Sequence, residues 1–185
     1  MPAHPHVFYR SFHWLMLGLG VALLSACASM SESECLTADW VDQGMRDGRQ
    51  GYAVTRVADH YEACAGVGVV PDTAQYRQGY DKGIAQYCTP ENGANQGRAG
   101  RSYRGVCPAH LEAAFLAPYR HGLAVYNAQQ RVERLNNESR QLQYTLDKEK
   151  DPDKQRRLRN QLRDLDDSLR RARADLANID RNRPY

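Results

Sequence analysis

The sequence predicts an all-α protein in which a small, disulfide-stapled, glycine- and tyrosine-rich helical domain is followed by a long antiparallel helical hairpin. Two observations support this fold class. Four cysteines share one part of the chain with glycines that recur every fourth residue. The C-terminal part carries two rows of apolar residues in alternating steps of three and four, which is the heptad pattern of a coiled coil.

A short apolar stretch, WLMLGLGVALL, occupies residues 14–24 and is followed by Ser25, Ala26 and Cys27. It is far shorter than the ~20 residues that span a bilayer. A weakly basic start, an apolar stretch and small residues are the three parts of an export signal. The sequence therefore predicts a signal peptide over residues 1–26, with Cys27 as a lipid-bearing first residue of lipobox type. The alternative is an uncleaved anchor followed by an ordinary cysteine.

Lipidation of Cys27 would decide where the protein resides. Several acyl chains on one residue give stable attachment, so we expect the membrane to be a partner through this cysteine. Residues 27–34 then form a short polar tether. Ala28 occupies the position where an aspartate tends to retain lipoproteins at the inner membrane, which favours the outer membrane, facing the periplasm.

Cys35, Cys64, Cys88 and Cys107 form an even set in a chain expected to be exported, which indicates two disulfides. Three pairings are possible. We favour Cys35 with Cys64 and Cys88 with Cys107, because sequential pairs need no crossing of chain segments. The rival interpretation is a zinc site, but zinc ligands usually come in close pairs, and no two of these cysteines are close in sequence.

Within the predicted domain, residues 35–127, an aromatic residue repeatedly precedes spaced glycines. The copies are Trp40-x-x-x-Gly44-x-x-x-Gly48, Tyr76-x-x-Gly79-x-x-x-Gly83 and a shortened Tyr119-x-x-Gly122. Glycine costs a helix about 1 kcal/mol against alanine, so these glycines need a structural reason. The spacing predicts two helices, over 38–50 and 73–87, that cross at side-chain-free grooves. The alternative is that the glycines mark turns.

Residue types suggest how the neighbouring segments begin and end. Thr37 and Asp72 are expected to cap the two glycine helices. A short helix is predicted over 55–65, capped by Thr55. Residues 89–104 are rich in glycine and asparagine and lack apolar periodicity, so we expect an ordered loop there.

Residues 128–185 are predicted to form the charged coiled-coil hairpin. Its two apolar rows are Val125, Ala128, Val132, Leu135, Ser139, Leu142 and Leu146, and Leu158, Leu162, Leu165, Leu169, Ala172, Leu176 and Ile179. The rows are out of phase across Asp151-Pro152-Asp153, so a turn there lets them face each other. Proline tolerates the first turn of a new helix. The alternative is one long kinked helix that dimerises through both rows.

Several of these features together resemble a known family. They are Cys27, Cys35, Trp40, Gly44, Asp47-Gly48, Gly51, Cys64, Tyr76-x-x-Gly79, Gly83, Tyr87-Cys88, Gly97, Gly100, Tyr103-x-Gly105-x-Cys107 and Tyr119-x-x-Gly122. In their order and rough spacing they resemble the bacterial lipoprotein family known as domain of unknown function 2799. The resemblance covers residue 35 to about residue 126. It implies a small envelope domain behind a lipoprotein signal, and it implies no activity.

Catalytic and metal-binding patterns are weak. No nucleophile can be paired with a base, so we expect no enzymatic activity and no cofactor. His110, His121 and Glu112 are a conceivable metal group, but isolated histidines are weak indicators, and no metal is expected. The net charge of +3, with acidic residues interleaved among the basic ones, does not favour nucleic-acid binding.

Two functions fit these features. The first is a structural or interaction module of the envelope that contacts a protein partner or another copy through residues 128–185, with Arg163 and Arg170 on its outer face. The second is a peptidoglycan- or glycan-binding module in which Trp40 forms a sugar platform with Tyr52, Tyr76 and Tyr80.

Overall fold

The computed structural model describes residues 28–182, so the predicted signal peptide and Cys27 lie outside the described residues. Within this range the chain forms seven α-helices and no strand, which confirms the all-α prediction. The helices are α1 (Glu32–Leu36), α2 (Trp40–Arg49), α3 (Val57–Cys64), α4 (Thr73–Tyr87), α5 (Pro90–Arg98), α6 (Ala109–Lys148) and α7 (Pro152–Arg181). Two 3-10 turns, Val54–Arg56 and Ala65–Val67, flank α3.

Helices α2 and α4 cross at their glycines, as the spacing predicts. A Cβ atom at Gly79 would overlap the carbonyl oxygen of Val41, and one at Gly44 would overlap the carbonyl oxygen of Tyr76. Backbone therefore packs on backbone at this crossing. The interpretation of these glycines as turns is excluded.

The helix starts agree with the sequence in part. Asp72 caps α4 by accepting hydrogen bonds from the backbone amides of Ala74 and Gln75. Helix α2 is capped by Asp39 rather than by Thr37, because the Asp39 carboxylate reaches the first turn directly. Thr55 caps no helix, since it lies inside the 3-10 turn that leads into α3.

A second glycine crossing joins α5 to α6. Helix α5 occupies the segment predicted as an ordered loop, so that prediction is wrong. Thr89 caps it, and Pro90 stands at its first turn. Glycine and asparagine have low helix propensity, but Gly93 and Gly97 press directly against the backbone of α6. Tertiary packing therefore outweighs local propensity.

The turn after α2 and the turn after α5 are built in the same way. Gly51 follows α2 with φ of +69°, and a side chain on it would collide with the Tyr87 ring. Gly100 follows α5 with φ of +66°, and a side chain on it would collide with the Tyr126 ring. Positive φ favours glycine. We call α2 to α4 the first half and α5 with the N-terminal part of α6 the second half.

Tyrosine hydroxyls reinforce this correspondence. Tyr80 donates a hydrogen bond to the Tyr52 carbonyl at 2.9 Å. Tyr119 donates one to the Arg101 carbonyl at 2.8 Å. In each half, a tyrosine from the second helix of the crossing thus donates a hydrogen bond to the carbonyl of the residue after the positive-φ glycine. The two halves share one construction.

Each half is closed by one disulfide, with the pairing favoured from the sequence. Cys35 is bonded to Cys64, with the two Cα atoms 5.5 Å apart. Cys88 is bonded to Cys107, with a Cα separation of 5.6 Å. Each bond links residues that precede the first helix of a glycine crossing to residues that precede its second helix. Cys35 lies before α2 and Cys64 before α4, while Cys88 lies before α5 and Cys107 before α6.

Helices α6 and α7 form the predicted antiparallel hairpin. Helix α6 is 40 residues long, or about 60 Å at 1.5 Å per residue. Asp151 caps α7, and Pro152 is at its first turn. Both apolar rows are buried or half-buried, so the single kinked helix is excluded. The domain boundary predicted between residues 127 and 128 lies inside α6, because one continuous helix serves the second half and the hairpin.

Candidate functional site

The first half contains a cluster of buried polar side chains, which we call the Asp47 cluster. It consists of the buried residues Asp47, Gln43, His60 and Tyr76, with half-buried Arg56 at its edge. Asp47 is 3% exposed and His60 is fully buried. Burial of polar groups costs free energy unless they are hydrogen-bonded, so their partners decide what this cluster does.

The Asp47 carboxylate is surrounded by donors. Its Oδ2 atom lies 2.7 Å from His60 Nε2 and accepts a hydrogen bond of 2.8 Å from the Tyr76 hydroxyl. Its Oδ1 atom accepts a bond of 3.3 Å from Gln43 Nε2, and Arg56 Nε lies 3.5 Å from it. Both carboxylate oxygens are therefore satisfied.

Electrostatics favour the ionised carboxylate. Burial by itself raises the pKa of Asp47, but the hydrogen bonds from His60 and Tyr76 and the charges of His60 and Arg56 outweigh it. The net effect holds the pKa of Asp47 below its usual range. Burial and the hydrogen bond to Asp47 raise the pKa of Tyr76, so the phenol keeps its proton and remains a donor.

The cluster extends to the start of the described chain through Ser29. The Ser29 Oγ atom lies 2.8 Å from His60 Nδ1. His60 thus bridges Asp47 and Ser29 through its two ring nitrogens, with Nε2 at Asp47 and Nδ1 at Ser29. Serine, histidine and aspartate are the residue types of a hydrolytic triad. However, a catalytic histidine must exchange a proton with a substrate, and His60 has no exposed surface. The arrangement acts as a structural clamp.

The segment expected to be a polar tether is part of this clamp. Met30 is 6% exposed and belongs to the hydrophobic core. Ser31 forms a capping box with Glu34 at the start of α1. Ser29 and Met30 are thus packed on the domain, because Met30 fills an apolar site and Ser29 completes the hydrogen bonding of His60, whereas residues 31–34 are exposed.

The sequence gives only a partial signal for this cluster. Asp47 appears in it as one of three aspartates near Trp40, with Asp39 and Asp42. The structure separates them: Asp39 is a helix cap, exposed Asp42 pairs with Arg46, and Asp47 is buried. Asp47 lies seven residues after Trp40, on the same helix face, and this periodicity could have identified it as buried.

Three of the four residues of the predicted sugar platform are buried. Trp40 is 7% exposed, Tyr76 is 1% exposed and Tyr80 is 6% exposed. Their rings pack around the Asp47 cluster and against each other, with Tyr76 stacked on Tyr80 at 6.2 Å between ring centroids. A sugar needs an open ring face, and these three residues do not offer one. Tyr52, the fourth predicted residue, is half-buried, with the Arg56 guanidinium 3.8 Å from its ring centroid.

The two arginines proposed as contacts, Arg163 and Arg170, both lie on the exposed face of α7. Arg170 is paired with Asp167, whereas Arg163 contacts the side-chain oxygen of Asn160. They lie seven residues, or about two turns, from each other on that helix. The structure does not bring either of them near Trp40, which lies in the core of the first half.

The hairpin is covered unevenly along its length. Midway along α7, Leu165, Leu169 and Ala172 are buried, whereas Leu176 and Ile179, nearer the domain, are half-buried. Toward the turn, Leu142, Leu146, Leu158 and Leu162 are only half-buried. We call these four residues the distal seam.

A shallow groove runs beside the distal seam. It is lined by Gln143, Leu146, Arg156, Arg159, Asn160, Leu162 and Arg163. Arg156 pairs with Asp153. Within residues 28–182, Arg159 and Arg163 have hydrogen-bond partners but no carboxylate in ion-pair contact. The groove is therefore apolar at its floor and positively charged at its edge.

Metal-binding residues do not converge in the described part of the chain. No group of three or more histidine, cysteine, aspartate or glutamate side chains there could hold a metal ion. Both histidines lie on α6, where His110 is exposed and His121 is half-buried.

The comparison with protein families adds an assignment. A family described as protein of unknown function (DUF2799) matches residues 39–124. These residues form a DUF2799 domain. The match spans both glycine crossings and ends near the point where α6 leaves the domain. Neither a curated protein nor a solved structure matches the chain. None of the helices within residues 28–182 is long and apolar enough to cross a membrane.

Proposed function

We propose that this DUF2799 protein is a non-enzymatic, lipid-anchored module of the bacterial envelope, which holds a partner protein through its helical hairpin. The observation that carries the proposal is the distal seam. Four leucines at heptad positions are half-buried in the hairpin, and no third helix within residues 28–182 packs beside them. A pair of helices with an incompletely covered apolar row is the groove into which an amphipathic helix packs.

Charge indicates which helix would fit this groove. Its edge carries Arg156, Arg159 and Arg163, and no aspartate or glutamate lines it. Arginine forms bidentate contacts with carboxylates. The partner is therefore an acidic amphipathic helix of another envelope protein, with its apolar row against the distal seam.

The clamp at Ser29 supports the anchoring part of this proposal. Because Ser29 and Met30 are fixed to the domain, a lipid on Cys27 would hold the domain close to the membrane surface. The part of α6 that projects from the domain would then present the distal seam at a distance set by a rigid helix rather than by a flexible linker.

Site-specific photocrosslinking in cells tests the partner. A photoreactive residue at Gln143 or Arg159 should give a discrete adduct with a second protein, while the matched exposed position Lys82 on the domain should give none. Charge reversal by R159E and R163E should remove the adduct. Adducts with the same chain only would replace the partner by a homo-oligomer, and no adduct from the groove would refute the interaction module.

Anchoring is tested separately. Cells fed an alkyne-bearing palmitate should label the wild-type chain and leave Cys27→Ala unlabelled, and only the wild type should sediment with membranes. Equal labelling of the two chains would refute lipidation at Cys27 and would leave the crosslinking result unaffected.

A further inference from the structure

A polar cleft of about 660 Å³ lies between the two halves of the domain, and none of the side chains of the Asp47 cluster or of the hairpin groove lines it. One wall comes from the end of α2 and the turn at Gly51. The other wall comes from α5 and the segment that follows Gly100. Because both turns are built in the same way, the cleft sits where the two equivalent parts of the domain meet. Ligand sites often occur at such junctions.

Three arginines line this cleft: Arg49, Arg101 and Arg104. No aspartate or glutamate lines it. Within residues 28–182, none of the three forms an ion pair, and Arg101 has only the side-chain oxygen of Gln96 as a hydrogen-bond partner, at 3.3 Å. The cleft thus carries uncompensated positive charge.

This lack of partners is not general in the domain. Arg46, Arg56, Arg77 and Arg98 each pair with an aspartate. Among the described residues of the domain, four arginines form no ion pair; Arg49, Arg101 and Arg104 share this concave site, and only Arg120 lies elsewhere. An unpaired positive cluster in a concave site raises the local concentration of anions.

Neutral groups beside the arginines add hydrogen-bonding capacity. Ser102 and Gln96 line the same cleft as Tyr87. Burial raises the pKa of Tyr87, as does the nearby Tyr119, and the positive charges of Arg101 and Arg104 act in the opposite direction. Both guanidinium groups are therefore close enough to influence the Tyr87 hydroxyl.

We propose that this cleft binds a phosphomonoester. Three guanidinium groups match the charge of about −1.5 to −2 that a phosphomonoester carries at pH 7, and arginine forks suit its oxygens. A single carboxylate would leave most of that charge uncompensated. The volume falls in the range of small-molecule sites, so it accommodates a polar body attached to the phosphate. A soluble sugar phosphate and a lipid headgroup both carry this chemistry.

Isothermal titration calorimetry on the full chain in neutral-detergent micelles tests the proposal. Glucose 6-phosphate should bind with a Kd below about 1 mM. Glucose, which lacks the phosphate, should not bind, and glucuronate, which carries a carboxylate, should bind at least tenfold more weakly. Water-soluble dibutanoyl phosphatidic acid, a lipid with a phosphomonoester headgroup, separates the two sources: tighter binding than that of the sugar phosphate assigns the site to a lipid headgroup, and weaker binding assigns it to a soluble ligand.

Variants locate the site. R101Q with R104Q should weaken phosphate binding at least tenfold. R120Q is the matched control, because Arg120 is exposed, has no ion pair within residues 28–182 and does not line the cleft. The melting temperatures of both variants should stay close to that of the wild type, since the exchanged side chains are exposed.

Three results would overturn the proposal. They are the absence of binding by both phosphate compounds, equal binding of glucuronate and glucose 6-phosphate, and equal weakening by R120Q and by the double variant. None of them bears on the hairpin groove or on lipidation, so the proposal stands apart from the proposed function.

Discussion

Tyr76 donates a hydrogen bond of 2.8 Å to the Asp47 carboxylate across the crossing of α2 and α4. This contact depends on the glycines of the crossing, because a Cβ atom at Gly44 would overlap the Tyr76 carbonyl oxygen. Close approach of the two backbones and satisfaction of a buried charge are thus one feature. A substitution that disrupts the close backbone approach should therefore also disturb the hydrogen bond to the buried carboxylate, and the reverse should hold.

Asp47→Asn should destabilise the protein by about 3 kcal/mol at pH 7, since it breaks a buried charged network. The folded-state pKa of Asp47 is depressed. Its contribution is therefore complete above its unfolded pKa of about 3.9, and it disappears as the pH falls through the folded pKa. Urea unfolding at several pH values should show the variant and the wild type converging in acid.

Asp42→Asn is the control for that measurement. Asp42 is exposed and pairs with Arg46 on the surface of the same helix, where such pairs contribute about 0–1 kcal/mol. A loss for Asp42→Asn as large as that for Asp47→Asn would contradict the assignment of Asp47 as the central charge of the cluster.

Gly79→Ala should cost at least about 2 kcal/mol, because a methyl group would force the α2 and α4 backbones apart. Gly66 provides the matched comparison. It lies in the turn after α3, nothing stands within 4 Å of its added Cβ, and its φ is not positive. Gly66→Ala should leave stability unchanged or raise it slightly through the unfolded chain. Thermal unfolding followed by circular dichroism distinguishes the two, and equal melting temperatures would contradict close backbone packing.

Loss of the Cys88–Cys107 disulfide should cost about 3 kcal/mol on the chain-entropy model. The bond closes a separation of 19 residues around α5, a helix whose own propensity is low. The double alanine variant should therefore lose protection of the α5 amides in hydrogen exchange before it loses that of α2 and α4. Uniform loss of protection across the domain would show that the two halves do not open separately.

Patterns with a clear period could be predicted from the sequence, and those set by distant contacts could not. The leucine rows gave the hairpin, and the glycines around Gly44 and Gly79 gave the first crossing. Helix α5 was missed because its glycines lower helix propensity and its partner lies on α6. The bond from Ser29 to His60 was missed because it joins residues that no local pattern relates.

The candidate site shows the same division between periodic patterns and distant contacts. Trp40 near aspartates suggested an open binding surface, but helical periodicity placed Trp40 and Asp47 together on the buried face of α2. The cleft arginines gave no local signal at all. Arg49 lies far from Arg101 in the chain, and only the packing of the two halves places them in one cleft.

The hairpin should lose stability unevenly when its leucines are truncated. Leu169 is 7% exposed, so Leu169→Ala should cost about 2–4 kcal/mol through lost burial and the cavity it leaves. Leu158 of the distal seam is half-buried and should cost about half as much in the isolated chain, because less apolar surface leaves water on folding. Urea unfolding of both variants provides the comparison. A cost for Leu158→Ala equal to that for Leu169→Ala would mean that the distal seam is already covered in solution, for instance by a second copy, and would contradict an open groove. When the proposed acidic helix is bound, Leu158→Ala should cost more than Leu169→Ala. The bound helix should stabilise the wild type, and it should no longer bind Leu158→Ala.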